Sequence, residues 1–367
     1  MKKLLIASAV SAFFATPATV LAAGGAPAGP TLDRVLEASG INVSGYIDAG
    51  YTRADRNLEG AGVSTRVFDS QNNSFGLNQF GLSIAKQPRQ GFGGLVNLTG
   101  GRDAQVINSA GAATSQIDIT QAYAQYADGP VTVIGGKYAT LHGTEVIWSP
   151  SNANISRSIL FGAIPFTHTG VRATWALNNQ VGLIGGLNNG WDQLTDANKG
   201  KTVELGATLN PIKPVAISLS AYSGKEPTSA TVDGTRTSFN AVATWTILDP
   251  LSVGMEVLNV SQERAGGGTA TQKYNGAAFY GSYMFAPKLR GALRVEPRFD
   301  DKNGLRFGTA NTKYQEVTAT GAYLPGNNFE GRAEVRRDQA TNPVFVNSNG
   351  TTSKTLMTIA FQGIYKF

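Results

Sequence analysis

Residues 355–367 read TLMTIAFQGIYKF, a stretch in which apolar and mostly polar positions alternate up to the last residue. Side chains along a β-strand point alternately to opposite faces, so a period of two predicts a strand with one apolar face. A strand of a soluble sandwich normally leads into a turn or a tail, whereas this chain stops on an aromatic residue. The same alternation recurs at 43–51, 203–209 and 253–257, so we expect an all-β protein.

The opposite end of the chain carries an export signal. Lys2 and Lys3 precede an apolar run over 4–14, and small residues before Ala22 offer a cleavage site. This arrangement is typical of a secretory signal peptide, which we expect at 1–22 and which is too short to span a bilayer.

In a chain that carries an export signal, a last strand that ends on an aromatic residue indicates a particular class of protein. It resembles the terminal signal that bacterial outer-membrane barrels present to the barrel-assembly machinery. We therefore expect Tyr365 and Phe367 to form that assembly signal, and we expect the protein to lie in the bacterial outer membrane in contact with outer-membrane lipid.

The composition narrows the classes of function. The chain has 44 glycines and 15% charged residues, which is unusual for a soluble enzyme and normal for a barrel. The formal charge of +6 includes the two lysines of the export signal, so it is a weak argument for a nucleic-acid partner, and we expect none. The absence of cysteine excludes a disulfide scaffold and any thiolate metal site.

The rest of the chain has no run of about 18 or more apolar residues, which a spanning helix needs. Its alternating segments are about 10 residues long, the length with which a tilted strand crosses the hydrocarbon core. A closed barrel is the only sheet that satisfies its backbone groups in lipid. We expect a transmembrane antiparallel up-and-down β-barrel over 41–367. The lead at 23–40 contains a short helix near 31–37, which either braces a barrel mouth or attaches loosely.

Two kinds of connection alternate along the barrel. Seven short turns rich in Pro, Asn, Asp and Gly lie at 87–89, 128–130, 178–179, 210–214, 249–250, 286–287 and 325–327. Eight longer polar stretches lie at 53–73, 101–116, 140–166, 190–200, 225–235, 262–272, 300–312 and 339–353. Fifteen connections predict sixteen strands, with short periplasmic turns, longer extracellular loops and a lumen wide enough for an aqueous channel.

The charged residues of two late strands share one face. Because a charge on the lipid face costs about 2–4 kcal/mol for Arg or Lys near mid-depth, these side chains are expected to point into the lumen. The set comprises Arg294, Glu296 and Arg298 in strand thirteen, and Glu330, Arg332, Glu334 and Arg336 in strand fifteen. We predict that its four arginines form a lumenal wall. Cross-strand pairing with the glutamates explains most of the set, so it does not by itself indicate anion selection.

The third long stretch, 140–166, is the longest of the eight and differs in composition. It carries five large apolar residues, Ile147, Trp148, Ile159, Leu160 and Phe161, which a solvated loop would not need. In general diffusion porins the third such loop folds inward and narrows the channel. We expect the same here, with a packed surface cap or an oligomer contact as the alternative.

Charged residues around this stretch suggest how a pore could sort solutes. His168 and Arg172 share parity and are expected to face the lumen just below 140–166. In one interpretation Arg172, Arg157 and Lys137 face Glu145 across the pore and set a transverse field. In the other, the same residues form an ion-pair network that braces the loop, and the two interpretations are compatible.

Short motifs extend over most of the chain. They are Asn152, Asn154, Ser156-Arg157-Ser158 and Leu160-Phe161, then PFTHTGVR at 165–172, SGYID at 44–48, QAY at 121–123, GKY at 136–138 and NGWD at 189–192. This set resembles the signature of the β-barrel porin-2 (OmpL-like) family. The resemblance implies an outer-membrane barrel that acts as a porin, and it says little about which solutes pass.

Enzymatic chemistry finds little support. A pair of Ser156 or Ser158 with His168 can be drawn, but nothing resembling a nucleophile elbow accompanies it. The two histidines, His142 and His168, lie without a regularly spaced acidic cluster, so we expect no metal site and no cofactor.

We therefore expect a passive outer-membrane porin for small hydrophilic solutes or ions, with a polar lumen narrowed by 140–166. A substrate-specific channel and a non-conducting barrel that serves as an adhesin or envelope scaffold are the alternatives. The sequence leaves open the solute, the ion preference and whether the barrel forms a homo-oligomer.

Overall fold

The computed structural model describes residues 32–56, 58, 65–107 and 115–367. The predicted signal peptide at 1–22 and the lead up to residue 31 lie outside the described residues. Helix α1 (Leu32–Ser39) follows, where a short helix is predicted. It ends at Gly40, whose φ of +67° lets the N–H of Ile41 reach the carbonyl of Leu36 at 3.0 Å. The side chains of Arg34 and Glu37 are exposed, so they do not pack into the barrel.

Sixteen strands form the wall. They are β1 (Asn42–Ala54), β2 (Ser74–Lys86), β3 (Gly91–Gly100), β4 (Ile117–Asp128), β5 (Val131–Ala139), β6 (Thr167–Ala176), β7 (Val181–Asn188), β8 (Thr202–Leu209), β9 (Val215–Pro227), β10 (Asp233–Leu248), β11 (Leu251–Gln262), β12 (Gln272–Ala286), β13 (Leu289–Asp301), β14 (Thr312–Tyr323), β15 (Phe329–Ala340) and β18 (Thr355–Lys366). The last long loop adds a small ribbon of β16 (Phe345–Val346) and β17 (Thr352–Ser353), and the second contains helix α2 (Arg102–Ile107).

Every wall strand pairs antiparallel with its sequence neighbours, and β18 pairs with β1 to close the barrel. At the seam, Gly45 and Phe367 exchange two backbone hydrogen bonds of 2.8 and 2.9 Å. A Cβ on Gly45 would lie 2.6 Å from the Phe367 ring, so only glycine fits under this aromatic. The predicted sixteen-stranded closed barrel is confirmed, and the strands are joined by the predicted alternation of short turns and longer loops.

The outer face is apolar, as the period of two requires. Aromatic side chains stand outward at the ends of the strands near the short turns: Phe92, Tyr126, Trp175, Trp245, Tyr283, Phe285, Tyr323, Phe329, Tyr365 and Phe367. Such a girdle marks one membrane interface of an outer-membrane barrel. The role of Tyr365 and Phe367 as an assembly signal stays a prediction. Among the described helices, none is long and apolar enough to cross a membrane.

The inner face carries the charges of β15. Glu330, Arg332, Glu334 and Arg336 are each at most 3% exposed, while Val335 between them points outward and is 47% exposed. The predicted parity therefore holds along the whole strand. Arg294 and Glu296 of β13 are likewise inward and fully buried.

In β13 the alternation of inward and outward side chains is interrupted directly after Glu296. The register with β12 shifts at Pro297, where Glu296 and Pro297 together stand opposite Ala278. An extra residue in one strand reverses the faces of the residues that follow it. Arg298 therefore points outward with 58% of its side chain exposed, and Phe299 points inward and is fully buried. The prediction that Arg298 lines the lumen is wrong, because the bulge at Pro297 was not recognised in the alternation.

A hydrophobic core lies inside the loop-side half of the barrel. It combines residues of the loops, including Phe68, Ile107, Ile159, Phe161 and Phe345, with inward side chains of β11 to β15. An apolar core inside a barrel needs residues that exclude water, and the third long loop, 140–166, supplies more of them than any other loop. This segment is called loop 3 below.

If the outward residues face lipid, introducing a charge should destabilise the barrel more at mid-depth than near a membrane surface. Leu293 is outward and 49% exposed, near the middle of the apolar band, so Leu293→Arg is expected to lower the free energy of unfolding by about 2–4 kcal/mol. The exposed Gln339 lies near the loop end of β15, and Gln339→Arg is expected to cost at most about 1 kcal/mol. Reversible unfolding in lipid vesicles measures both. Equal costs for the two variants would refute the assignment.

Candidate functional site: loop 3 inside the lumen

Loop 3 runs along the inner wall from β9 to β15 and on to β2. Near its start, the His142 ring contacts the hydroxyls of Ser220 and Ser238 at 2.8 and 2.9 Å. The N–H of Gly143 donates to the Asn240 side chain at 3.0 Å. These wall residues belong to β9 and β10, so the loop bends inward immediately after leaving β5. The structure therefore places loop 3 in the lumen, where the sequence predicts it.

Two wall carboxylates clamp the backbone of loop 3. Glu296 on β13 accepts the N–H groups of Ile159 and Leu160 at 2.6 and 2.9 Å. Glu334 on β15 accepts the N–H groups of Ile155 and Ser156 at 2.6 and 3.0 Å. Each carboxylate thus satisfies two consecutive backbone donors that are buried and have left regular secondary structure. Hydrogen bonds to a charged acceptor contribute about 1.5–3 kcal/mol each, so these two glutamates are strong local anchors.

Arg294 joins the loop to two strands. Its guanidinium donates to Glu145 of loop 3 at 2.6 Å and to the Ser156 carbonyl at 2.7 Å. The same group donates to Glu316 on β14 at 2.7 Å. All of these groups are buried. Each charge has a counter-charge within hydrogen-bond distance, which offsets the cost of removing it from water. Glu145 accordingly faces the wall at Arg294.

Two more wall arginines hold the loop through its carbonyl groups. Arg332 donates to the carbonyls of Ser149 and Asn154 at 3.3 and 3.2 Å. Arg336 donates to the carbonyl of Arg157 and pairs with Asp338 at 2.6 Å. Both arginines are at most 3% exposed. The predicted wall therefore exists for three of its four arginines, and their partners include loop 3 as well as neighbouring strands.

Arg157 stabilises the loop from within. Its guanidinium donates to the carbonyls of Val146, Ile147 and Ile155 at 2.8 to 3.0 Å. It also lies over the ring of Phe68 from the first long loop, 5.3 Å from the centroid. Arg157 is 1% exposed, so it connects three carbonyl groups inside the loop and does not face open lumen.

Apolar contacts complete the attachment. Leu160 is fully buried against Gly276 of β12, where an added Cβ would come within 2.8 Å of the leucine. The Phe161 ring stacks on Phe166 at 5.1 Å between centroids, and Tyr274 donates its hydroxyl to the Ala163 carbonyl at 2.7 Å. The contacts at Leu160 and Ala163 therefore attach loop 3 to β12, and the Phe161–Phe166 contact stabilises the loop itself.

The remaining predicted charges lie on the other side of the lumen, in pairs of their own. Lys137 donates to Asp118 at 3.3 Å and to the Ile119 carbonyl at 2.7 Å. Arg172 forms two hydrogen bonds to Glu204, and its guanidinium lies 4.2 Å from the centre of the Tyr138 ring. Neither cation pairs with Glu145. The geometry thus favours the interpretation in which these residues form ion pairs that brace the structure over the one in which unpaired charges set a field across the pore.

His168 stacks on Tyr222 with ring centroids 4.4 Å apart, and its Nδ1 lies 3.0 Å from the Gly190 carbonyl. Ser156 accepts a hydrogen bond from Arg294, and the Ser158 hydroxyl accepts the N–H of Phe161. The Ser–His pair considered from the sequence is therefore not brought together. Within the described ranges, no group of three or more His, Asp or Glu side chains could hold a metal ion.

Asp192 holds the end of loop 3 from the fourth long loop (189–201). Its carboxylate accepts the N–H groups of Phe166 and Thr167 at 2.7 and 3.0 Å. Burial raises the pKa of this carboxyl to about 6, and the two N–H donors oppose that rise. Burial also lowers the pKa of His142 well below its ordinary value, so this imidazole is uncharged at pH 7. The loop is thus held near one end by a neutral imidazole and at the other by a carboxyl group that accepts two backbone N–H groups.

The turn-side half of the lumen differs from the half that loop 3 fills. On β8 to β12 its inward positions include small hydroxyl residues that remain exposed or half-exposed, namely Thr208, Ser218, Thr244, Thr246, Ser252 and Ser282. Hydroxyl groups can hydrogen-bond to passing water or solute without fixed charge. This half therefore forms a polar vestibule below the constriction.

Sequence reasoning missed several functional residues. Glu204, Tyr222 and Asp338 contact the predicted site residues Arg172, His168 and Arg336. Each of the three lies in an ordinary alternating strand, and nothing in its own segment marks it. The glutamates Glu296 and Glu334 drew attention only as partners for arginine. Their inward parity and their position opposite an unusually apolar loop were the signals that could have suggested anchoring.

The clamp by Glu296 predicts a local change in amide exchange. Glu296→Gln removes the charge and one acceptor oxygen, so hydrogen exchange at Ile159 or Leu160 is expected to speed by about 10- to 150-fold, the equivalent of one hydrogen bond to a charged group. Mass spectrometry of deuterium uptake measures this. Glu334→Gln is the matched control, for which the effect should move to Ile155 and Ser156. Uptake unchanged in both variants would show that loop 3 does not depend on these carboxylates.

Solved structures similar to this barrel are outer-membrane channels. The channel DcaP of Acinetobacter baumannii aligns with a TM-score of 0.63 at 14% identity and covers 89% of this chain and 97% of that one. An anion-selective porin of Comamonas acidovorans gives 0.63 at 8% identity, with 89% and 99% covered. OprB of Pseudomonas putida gives 0.62 at 12% identity, with 92% and 96% covered. At such low identity these likenesses show the fold alone.

The sequence itself assigns the family. No curated protein matches the chain. The model of the beta-barrel porin-2, OmpL-like family matches residues 40–367, which is the whole barrel. The resemblance seen in the motifs is thereby confirmed, and the chain belongs to the beta-barrel porin-2, OmpL-like family of the bacterial outer membrane.

Proposed function

We propose that the protein is a passive channel for small hydrophilic solutes or ions across the outer membrane, and not an enzyme. The observation that carries the proposal is the division of the lumen. A vestibule lined by hydroxyl groups leads to a constriction formed by loop 3, which packs on the inner wall of β9 to β15 and narrows the lumen from that side. Transport through such a route is diffusion and involves no covalent step.

The constriction works by size and by hydrogen bonding more than by a strong fixed field. The charges of the predicted site are paired: Arg294 with Glu145, Arg172 with Glu204, and Lys137 with Asp118. Paired charges at close range present a dipole rather than a net charge to a passing ion. We therefore propose that solutes are sorted by cross-section first and by charge second.

The two alternatives predict different behaviour. A substrate-specific channel would conduct weakly and be blocked by one solute, and a scaffold or adhesin would not conduct. The exposed hydroxyls of the vestibule favour conduction, because a sealed scaffold has no need of a wetted polar interior. The proposal includes a homo-oligomer as the assembled state, a form in which OmpT of Vibrio cholerae, another structural neighbour, has been solved as a trimer.

Single-channel recording in planar bilayers tests the proposal. The wild-type protein is expected to give discrete current steps that are linear in voltage. Glu296→Gln combined with Glu334→Gln removes both loop anchors and is expected to change the unit conductance and to add current fluctuations, since loop 3 then loses its attachment to β13 and β15. The control is Glu37→Gln with Glu263→Gln, which removes two charges from exposed positions and should leave the conductance unchanged.

Silence from folded wild-type protein would contradict the channel. Steps abolished by a single solute would favour the substrate-specific alternative. Equal conductance in the wild type and the anchor variant would show that loop 3 does not form the constriction.

A further inference from the structure

Charge at the turn-side end of the lumen is confined to one sector of the wall. Among the four residues of each wall strand nearest a short turn, all of which the structure describes, inward charges occur on β13, β15 and β18 alone. The residues are Arg290, Glu330, Arg332 and Lys366, and they are called the vestibule cluster. Three cations and one carboxylate give the cluster a formal charge of +2.

Strand register brings the two arginines of the cluster together. Arg290 and Arg332 are both in register with Ala322 of β14, one on each side of it. Ala322 is inward and 5% exposed, and its small side chain leaves room for the two guanidinium groups to meet. Both arginines donate to the same oxygen of Glu330, Oε1, and the bond from Arg332 is 2.7 Å long. One carboxylate therefore serves two guanidinium groups.

Lys366 adds a cation that has no counter-charge of its own. Glu330 is in register with Ile364, so Lys366, two residues further along β18, lies diagonal to Glu330 at about 7–8 Å between backbones. Within the part of the chain that the structure describes, the Lys366 ammonium forms no salt bridge. The positive charge of the cluster is thus only partly balanced by Glu330.

The carboxylates further from the turns in the same sector are engaged by other groups. Glu334 accepts the N–H groups of loop 3 described above. Asp48 of β1 accepts the side-chain amides of Asn78 and Gln362 at 3.1 and 2.9 Å. Neither carboxylate is therefore placed to neutralise the vestibule cluster.

Both arginines also keep hydrogen-bond donors that no described residue uses. Arg332 is 3% exposed, and its Nη2 has no hydrogen-bond partner among the described residues. The same is true of the Nε of Arg290, whose side chain is 18% exposed. A guanidinium carries five donors in a planar fork that matches a carboxylate. The cluster already accepts the carboxylate of Glu330 and retains donors for another.

The cluster lies on the route to the constriction. Arg332 donates to the carbonyls of Ser149 and Asn154, so the cluster is directly below loop 3. The wall of β8 to β12 at the same end of the lumen carries the hydroxyl residues and no inward charge in the described strands. A solute that moves between the vestibule and the constriction therefore meets fixed charge on one side only, and that charge is positive.

We propose that the vestibule cluster binds the carboxylate group of small anionic solutes and gives the channel a preference for anions. The inference rests on the proposed channel and assigns the sign of its secondary selection by charge. Fixed charge of one sign in a low-dielectric cleft raises the local concentration of counter-ions by about 10-fold or more. The partial balance by Glu330 keeps the attraction weak enough for the solute to leave, as conduction requires.

The reversal potential across a planar bilayer in a KCl gradient tests this preference. Near 0.1 M salt, where the Debye length is about 10 Å, the wild type is expected to pass chloride about 10-fold more readily than potassium. Arg290→Gln with Lys366→Gln leaves Arg332 to hold loop 3 and to pair with Glu330, so the ratio is expected to fall to about one. Glu330→Gln makes the cluster more positive and is expected to increase the ratio.

The matched control is Lys86→Gln with Lys273→Gln, which removes two exposed charges from the outer face and should keep the wild-type ratio. Succinate added on the turn side is expected to reduce the chloride current of the wild type and not that of the Arg290→Gln, Lys366→Gln variant. Neutral succinamide is expected to leave both currents unchanged.

The outcomes separate this inference from the channel itself. A wild type that conducts without preference for chloride would overturn the inference and leave the channel standing, whereas a silent wild type would overturn both. An unchanged ratio in the Arg290→Gln, Lys366→Gln variant would also contradict the cluster as an anion site, as would equal inhibition by succinate and succinamide.

Discussion

The structure depends on the requirement that a charge removed from water must meet a partner. A barrel in lipid cannot place Arg or Glu on its outer face at mid-depth, so these residues point inward. Loop 3 then covers the inner wall of β9 to β15 and removes much of the water that would have solvated them. Buried charges without partners cost several kcal/mol each, so the inward wall and the loop have to match group by group. The hydrogen bonds that consecutive loop N–H groups donate to Glu296 and Glu334 are the closest examples of this matching.

This matching explains why a loop whose only regular structure is two single-turn 3-10 helices, Ser149–Ser151 and Phe161–Ala163, can be an ordered part of the channel. An irregular segment leaves many backbone groups unpaired, and burying them without partners is unfavourable. In loop 3 the partners are side chains of the wall: carboxylates for the N–H groups and guanidinium groups for the carbonyls. The apolar contacts of Leu160 with Gly276 and of Phe161 with Phe166 then fix the loop in one position. The channel shape is thus set by polar satisfaction first and by apolar packing second.

The period of two was sufficient to predict the barrel, its sixteen strands and the position of the loops, because alternation and turn residues are local properties of the chain. It also predicted that His168, Arg172 and the arginines of β15 point inward. It failed at Arg298, because a bulge reverses the faces of the residues that follow it. Pro297 is the one local feature of the sequence that hints at this bulge. The pairing of charges could not be predicted, because partners such as Glu145 and Arg294 are separated by 149 residues and meet only after the barrel closes. Single-sequence patterns carry no information on contacts of that range.

The central claim is that loop 3 lies against the inner wall of β14 and β15 in the folded channel. Asn154 donates to Thr320 at 2.7 Å, and the chain has no cysteine, so the pair Asn154→Cys and Thr320→Cys can be introduced without competing thiols. After folding and mild oxidation, intact-mass measurement and peptide mapping would show whether a disulfide joins the two positions. The account predicts near-complete formation of this bond. Two free thiols that remain reactive toward a soluble alkylating reagent would contradict it.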